Sequence, residues 1–187
     1  MANYLDIQLR PDPEFSAAHL LAALYAKLHR ALVRLGASSI GVSFPRFDTS
    51  AHRLGDCLRL IGPADDLTRL MALDWLNGMR DHVNVGGAAP VPATALHRTL
   101  RRVQAKSNPE RLRRRQMKRH GLTAAQAEQQ VPDSVGERLD LPFIQVTSAS
   151  TGETFRLFLR LGPPQSKLAA GGFNSYGLST AATIPCF

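Results

Sequence analysis

The chain has 187 residues, of which 44% are hydrophobic, and its formal net charge is +8 at pH 7. The excess of Lys and Arg favours an anionic partner, but it does not separate nucleic acid from an acidic membrane surface. No apolar run approaches the roughly 20 residues that cross a bilayer. The N-terminus lacks the pattern of a signal peptide, and Cys57 and Cys186 are too few and too distant for a disulfide framework or a zinc site. These features predict a reduced, cytoplasmic protein that does not enter a membrane.

The first half of the chain alternates strand and helix patterns. Strands are predicted over residues 4–9, 40–44, 57–61 and 82–85, and helices over 16–35 and 64–76. The order β-α-β-β-α-β is that of a ferredoxin-like domain. Residues 86–92 are rich in Gly and Pro and predict a linker. We therefore predict an α+β fold, with a ferredoxin-like domain over residues 1–92 and a mixed α/β domain over residues 93–187.

The second half of the chain is predicted to present charge. Residues 98–105 alternate and place Arg98, Arg102 and Gln104 on one side of a strand. A short helix over residues 123–129 begins with a possible capping box formed by Thr123 and Gln126. Three further strands are predicted over residues 143–147, 154–161 and 173–178, and the first two are expected to form a hairpin.

The cation-rich segment between Ser107 and His120 has the start and stop signals of an α-helix. Ser107 or Asn108 can cap it, Pro109 suits its first position, and Gly121 supplies the stop. At helical spacing five cations share one face: Arg111, Arg114, Arg115, Lys118 and Arg119. One interpretation of such a run is a solvent-exposed helix face that binds no ligand. Because Glu110 is the only carboxylate in the run and lies at the helix start, we favour a phosphate backbone as the ligand.

The sequence offers no obvious metal chemistry. Asp, Glu and His do not cluster at ligand spacing, and Asp65 and Asp66 are explained by the dipole of the helix that they begin. A metal-free reaction remains open on RNA, because the ribose 2′-hydroxyl can attack the neighbouring phosphate. Such a reaction needs a group of near-neutral pKa, and the six histidines compete for that role. His29 follows the apolar Leu28 on the first helix, and its spacing alone favours an ordinary boundary histidine.

Over essentially its whole length the sequence resembles the CRISPR RNA-processing endoribonucleases of the type I-F system. The segments that carry the resemblance are 4–7 (YLDI), 9–15 (LRPDPEF), 27–29 (KLH), 40–45 (IGVSFP), 102–115 (RVQAKSNPERLRRR), 141–143 (LPF), 150–152 (STG), 155–158 (FRLF), 172–173 (GF) and 176–179 (YGLS). The resemblance implies an enzyme that binds a repeat hairpin of precursor CRISPR RNA and cuts at the 3′ base of its stem. It implies no metal or other cofactor, a cyclic phosphate product, and continued binding of the product as a subunit of the interference complex.

The same resemblance implies a catalytic set. His29 matches the catalytic histidine, and Ser148 matches the serine that fixes the ribose and its 2′-hydroxyl. Tyr176 matches the tyrosine that positions the histidine, and Ser150 lies close enough to Ser148 to support it.

The resemblance also implies how the hairpin is recognised. Arg102 and Gln104 match a pair that reads base edges near the foot of the stem, and Phe155 matches an aromatic that stacks under the terminal base pair. A core position is the rival interpretation of Phe155, since Leu157 and Leu159 share its side of the strand. The arginine-rich helix, including His120 at its end, matches the element that enters the major groove of the hairpin.

The sequence departs from the family pattern at a few positions. Lys118 stands where arginine is expected, Thr147 is less basic than the expected residue before Ser148, and residues 180–182 replace a more glycine-rich or basic turn. These departures leave the preferred repeat open. A basic RNA-binding module without catalysis is the alternative function that the sequence leaves open.

Overall fold

A computed structural model describes residues 2–105, 109–147 and 152–187. Within these residues the fold is α+β, with four α-helices and antiparallel sheets. Spatial contacts divide the chain into two compact units, which we call unit 1 (Met1–Arg102 with Leu141–Phe187) and unit 2 (Val103–Asp140). This grouping differs from the composition boundary at residue 92, because strands that follow the boundary belong to unit 1.

The largest sheet of unit 1 contains the strands predicted for the first half of the chain. Its members are β1 (Asn3–Leu9), β2 (Gly41–Ser43), β3 (Cys57–Gly62), β4 (Val83–Val85) and the short β5 (Ala89–Pro90). The strand order is β2-β3-β1-β4, and each neighbouring pair is antiparallel. Helix α1 (Ala17–Leu35) connects β1 to β2, and α2 (Ala64–Met71) lies between β3 and β4.

The core of unit 1 follows the apolar periodicities of the sequence. In β1, Leu5, Ile7 and Leu9 are buried at alternate positions. On α1, the buried side chains recur at helical spacing: Leu20, Leu21, Leu24, Tyr25, Leu28, Ala31 and Leu32. Strand β3 is buried along its whole length, as a central strand requires when both of its faces are covered.

Three predicted elements between residues 64 and 105 need correction. Helix α2 ends at Met71, and the chain then turns, with Asp74 at a φ of +49°, so the predicted continuation to residue 76 is wrong. The predicted linker contains β5, which pairs with the start of β1. The strand that was predicted over residues 98–105 is two strands in different sheets, β6 (Leu96–Arg98) and β7 (Leu100–Val103).

The division between β6 and β7 has a local cause. Gly162 lies against Thr99 so closely that a Cβ on the glycine would stand 2.3 Å from the threonine hydroxyl. The Gly162 amide donates to the Thr99 carbonyl, and Arg98 donates through Nε to the Gly162 carbonyl. The chain therefore changes sheets at residue 99, and Arg98 does not share a strand with Arg102.

Two smaller sheets complete unit 1. Strand β6 pairs with β10 (Ile184–Cys186), which the sequence did not predict. Strand β7 belongs to a sheet of order β7-β9-β8, with β8 (Phe143–Thr147) and β9 (Thr154–Leu161). The predicted antiparallel pairing of β8 and β9 is confirmed, with Phe143 opposite Phe158.

In its described residues, unit 2 contains two α-helices and a 3-10 turn. Helix α3 (Pro109–His120) is the predicted arginine-rich helix, and Gly121 ends it at a φ of +66°. Helix α4 (Ala124–Gln130) begins with the predicted capping box of Thr123 and Gln126, which is confirmed. The predicted caps Ser107 and Asn108 lie outside the described residues.

Candidate active site and nucleic-acid interface

Helix α1 holds His29 at the edge of its buried face. Ser16 caps the start of the helix by accepting from the His19 amide, and Gly36 ends the helix in the left-handed conformation. Leu28 is fully buried, so the next residue lies at the border of the apolar stripe and His29 is half-buried. The imidazole is therefore carried by a helix that is fixed at both ends and along one side.

The orientation of the His29 ring is set by a hydrogen bond to the main chain. Its Nδ1 lies 2.9 Å from the carbonyl oxygen of Ser175. A carbonyl only accepts, so Nδ1 carries the proton and donates. In the neutral ring this tautomer leaves Nε2 as the proton acceptor. The sequence did not single out Ser175, because a main-chain carbonyl leaves no residue signature.

Tyr176 fixes the plane of the same ring. The two rings are parallel, and their centroids are 3.8 Å apart. The main-chain carbonyl of Tyr176 accepts from the hydroxyl of Tyr25 at 2.7 Å. Burial raises the pKa of the Tyr25 phenol well above its ordinary value, and the nearby Tyr176 raises it further, so the hydroxyl remains a donor. The structure thus brings together two of the four predicted catalytic residues, His29 and Tyr176.

Residues 174–178 form a tight turn. The strand predicted over residues 173–178 is therefore wrong. The Asn174 side chain accepts from the amides of Tyr176 and Leu178, as in an Asx turn. Gly177 has a φ of +68°, and a Cβ there would stand 2.5 Å from the Val42 side chain. The spacing of Asn174 and Gly177 is the turn signal that the sequence offered.

Both predicted catalytic serines, Ser148 and Ser150, lie outside the described residues. The strand that precedes them, β8, packs against α1, the helix that carries His29. Thr147, at the end of that strand, pairs across the hairpin through its hydroxyl, which lies 3.2 Å from the hydroxyl of Thr154.

Arg102 and Phe155 are neighbours in unit 1. The Arg102 guanidinium carbon is 5.3 Å from the centroid of the Phe155 ring. Phe155 is half-buried and packs against the core, so it has both the contact of a core residue and an accessible part. Gln104 is exposed just after β7.

In unit 2, the predicted cationic face of α3 is exposed. That face consists of Arg111, Arg114, Arg115, Lys118 and Arg119, and His120 at the end of the helix is exposed as well. On the opposite side Arg113 turns toward the chain that follows α3. It donates from Nε to the Val131 carbonyl at 2.8 Å and pairs with Asp133 at 2.7 Å. Helical spacing already excluded Arg113 from the predicted cationic face, but the sequence did not indicate its partners.

Metal ligation and reactive thiols have little support in the described parts of the chain. No group of three or more His, Cys, Asp or Glu side chains within residues 2–105, 109–147 and 152–187 could hold a metal ion. Burial raises the pKa of the Cys57 thiol to about 11, so this thiol is not a nucleophile at neutral pH. Across the same residues, every helix is too short or too polar to cross a membrane.

Comparison with known proteins gives a consistent result over the whole chain. The family model of the CRISPR-associated protein Cas_Csy4 matches residues 4–187. A protein of Pseudomonas aeruginosa (strain UCBPP-PA14), named CRISPR-associated endonuclease Cas6/Csy4, is 54% identical over 187 residues, which cover all of both chains. A protein of the same name from Escherichia coli (strain UTI89 / UPEC) is 44% identical, again over the full length of both chains. The chain therefore belongs to the Csy4 family of CRISPR-associated proteins.

Proposed function

We propose that this protein is an endoribonuclease that binds the repeat stem-loop of precursor CRISPR RNA and cuts it at the 3′ base of the stem. Membership of a family whose relatives are named endonucleases supports the reaction class. The observation that carries the assignment to this chain is the His29 ring, which a carbonyl and a parallel tyrosine hold in one tautomer and one plane. An ordinary boundary histidine needs neither constraint.

The proposed reaction uses the 2′-hydroxyl of the RNA as nucleophile. Nε2 of neutral His29 takes the proton of that hydroxyl, and the 2′-oxygen attacks the adjacent phosphorus. The bond from phosphorus to the 5′-oxygen of the next nucleotide breaks, and that oxygen takes up a proton. The products are a 2′,3′-cyclic phosphate and a free 5′-hydroxyl. No metal ion enters this scheme, and no other cofactor is proposed.

Tyr176 and the two serines are proposed to position the reacting groups. Stacking on Tyr176 keeps the His29 ring from rotating about its bond to the helix, so Nε2 points in one direction. Ser148 is proposed to hold the ribose and its 2′-hydroxyl, with support from Ser150. Both assignments rest on the resemblance to the family.

Recognition of the hairpin is proposed to use both units. The cations of α3 would neutralise phosphates along the major groove, which accounts for their exposure and for the shortage of carboxylates in the helix. Arg102 and Gln104 would contact base edges: the Arg102 guanidinium would bind guanine, and the Gln104 amide would bind adenine. Phe155 would stack under the last base pair, with the Arg102 guanidinium beside its ring.

The architecture and the cellular setting complete the proposal. The antiparallel order β2-β3-β1-β4, with α1 and α2 as connections, supports a ferredoxin-like arrangement of the first half of the chain. We further propose that the protein acts in the cytoplasm, retains the mature guide RNA and joins the other subunits of a type I-F interference complex.

Cleavage of labelled CRISPR-repeat stem-loops in excess EDTA tests the reaction. We expect cutting at the 3′ base of the stem, none in an unstructured RNA of equal length, and none when the ribose at the cut is 2′-deoxy. Retention of the hairpin without cutting would support the non-catalytic RNA-binding module instead. Cutting of the deoxy substrate would exclude internal attack.

Replacement of His29 separates catalysis from binding. His29→Ala should lower the cleavage rate by about 10²- to 10⁴-fold, the usual contribution of a general acid or base, while hairpin affinity stays within about twofold. His52→Ala, at an exposed histidine, is the matched control and should cut at the wild-type rate. A parallel fall in hairpin affinity and thermal stability would mark His29 as a structural residue.

A further inference from the structure

The three-stranded sheet of β7, β9 and β8 has two faces of opposite character. Four side chains of β8 and β9 are buried on one face, Ile144, Val146, Leu157 and Leu159, and β8 packs against α1. Because side chains alternate along a strand, the other face carries Phe143, Gln145, Arg156, Phe158 and Arg160, which we call the outer face. All of these are exposed except Phe158, which is half-buried.

The outer face interleaves aromatic and cationic side chains. Phe143 and Phe158 are opposite each other across the hairpin, with ring centroids 5.4 Å apart. The guanidinium carbon of Arg156 is 4.7 Å from the centroid of the Phe143 ring. Neither strand contains an Asp or Glu, since their sequences are FIQVT and TFRLFLRL. The two arginines therefore have no carboxylate on their own strands to neutralise them.

A cross-strand aromatic pair alone would be ordinary sheet stabilisation. Here the Phe143 side of the pair keeps 38% of its surface exposed and is covered by a guanidinium instead of an apolar chain. Rings and guanidinium planes on an open antiparallel sheet are the combination that stacks unpaired bases, while arginines hold the phosphates between them. Bases inside a duplex are already stacked, so this chemistry selects single strands.

We propose that the outer face binds unpaired RNA that flanks the hairpin. The inference rests on the proposed function and extends it to a second RNA surface. It is distinct from the proposed site at Phe155, because Phe155 alternates with the outer face and lies on the buried side of β9 with Leu157. The bound hairpin and its single-stranded extension would then use opposite faces of one strand.

Binding of extended hairpins tests this surface. The probes are a fluorescent repeat stem-loop with a 2′-deoxy ribose at the cut and the same stem-loop with eight uridines added at its 5′ or 3′ end. We expect an extension at one of the two ends to tighten binding by about fivefold or more, the effect of stacking one base. The double variant Phe143→Thr, Arg156→Gln should lose that gain and bind the bare stem-loop within about twofold of wild type.

Two further variants keep the test sharp. Arg160→Gln alters one exposed side chain without touching the aromatic pair and should lose part of the gain. Arg46→Gln removes the same charge from an exposed pair with Asp56, and it should keep the gain in full. The inference is overturned if neither extension tightens wild-type binding, if the outer-face variants keep the gain, or if they weaken the bare stem-loop equally.

A competition experiment tests whether the outer face instead binds an acidic protein surface. Poly-glutamate and oligouridine of equal charge are each added to the complex with the extended stem-loop. If poly-glutamate displaces the extension as well as oligouridine does, the face is a general anion site and the RNA assignment is wrong. Failure of wild-type protein to bind the bare stem-loop would instead refute the proposed function itself.

Discussion

Helices α1 and α3 carry the two halves of the proposed activity, and they are held in place by different forces. Helix α1 has 19 residues, seven of them buried, and caps at both ends. Helix α3 has 12 residues and buries none of them fully. Apolar burial fixes α1, whereas α3 has no fully buried side chain and combines half-buried packing with polar contacts such as those of Arg113.

The difference follows from what each helix has to present. In the proposed reaction one imidazole meets one ribose, so α1 would have to hold a single side chain within a fraction of an ångström, which a packed core provides. In the proposed recognition the target is a repeating phosphate backbone, so α3 would offer many exposed charges, which repel one another until RNA is bound. An apolar stripe on α3 would take positions that the cations need.

The largest effect on stability should come from the buried face of α1. Leu28→Ala removes a fully buried side chain next to His29 and should lower the free energy of unfolding by about 2–5 kcal/mol, measured by urea denaturation. Val33→Ala, at a position that is 58% exposed on the same helix, is the matched control and should cost less than about 0.5 kcal/mol. Equal losses for the two variants would mean that burial does not hold α1.

An intermediate effect is expected at Arg113. Arg113→Ala removes hydrogen bonds to the Val131 carbonyl and to Asp133, and it should destabilise unit 2 locally by about 1–3 kcal/mol. Hydrogen exchange of the α3 and α4 amides should accelerate, while exchange in α1 stays unchanged. Hairpin binding should weaken, because the helix is no longer held ready for its ligand.

The salt dependence of the Arg113 variant distinguishes a positioning role from direct contact. If Arg113 only orients α3, the slope of the logarithm of the binding constant against the logarithm of salt concentration stays at the wild-type value. A slope that falls by about one unit would show that Arg113 contacts a phosphate, and the comparison of the two helices would lose its main support.

Sequence patterns were sufficient for α1, for the pairing of β8 with β9, and for the position of His29 at the border of an apolar stripe. They were not sufficient for the partners of His29. Ser175 is 146 residues away in the chain and acts through its main chain, so its contact depends on tertiary packing. Resemblance to the family was needed to prefer His29 and Tyr176 over other residues.

The role of Arg113 shows a second limit of sequence reasoning. Helix α3 contains five arginines and one lysine, and charge alone does not tell which of them point to solvent. Helical spacing places Arg113 opposite the predicted cationic face. Its hydrogen bonds to the Val131 carbonyl and the Asp133 carboxylate are visible only in the structure. Local periodicity predicts which residues share one face of a helix. Which residues contact that face depends on the tertiary structure of the later chain.

The smallest effect on stability is expected at Arg115, where the salt dependence of hairpin binding should nevertheless change clearly. Arg115 is exposed on the cationic face of α3, so Arg115→Ala should change the free energy of unfolding by less than about 0.5 kcal/mol. If it contacts a phosphate, the salt slope of hairpin binding should fall by about one unit, because one fewer counterion is released. Arg46→Ala removes an equal charge from the exposed pair with Asp56 and should leave the slope unchanged. An unchanged slope for Arg115→Ala would remove this residue from the RNA contacts, since a charge that releases no counterion on binding is not at the interface.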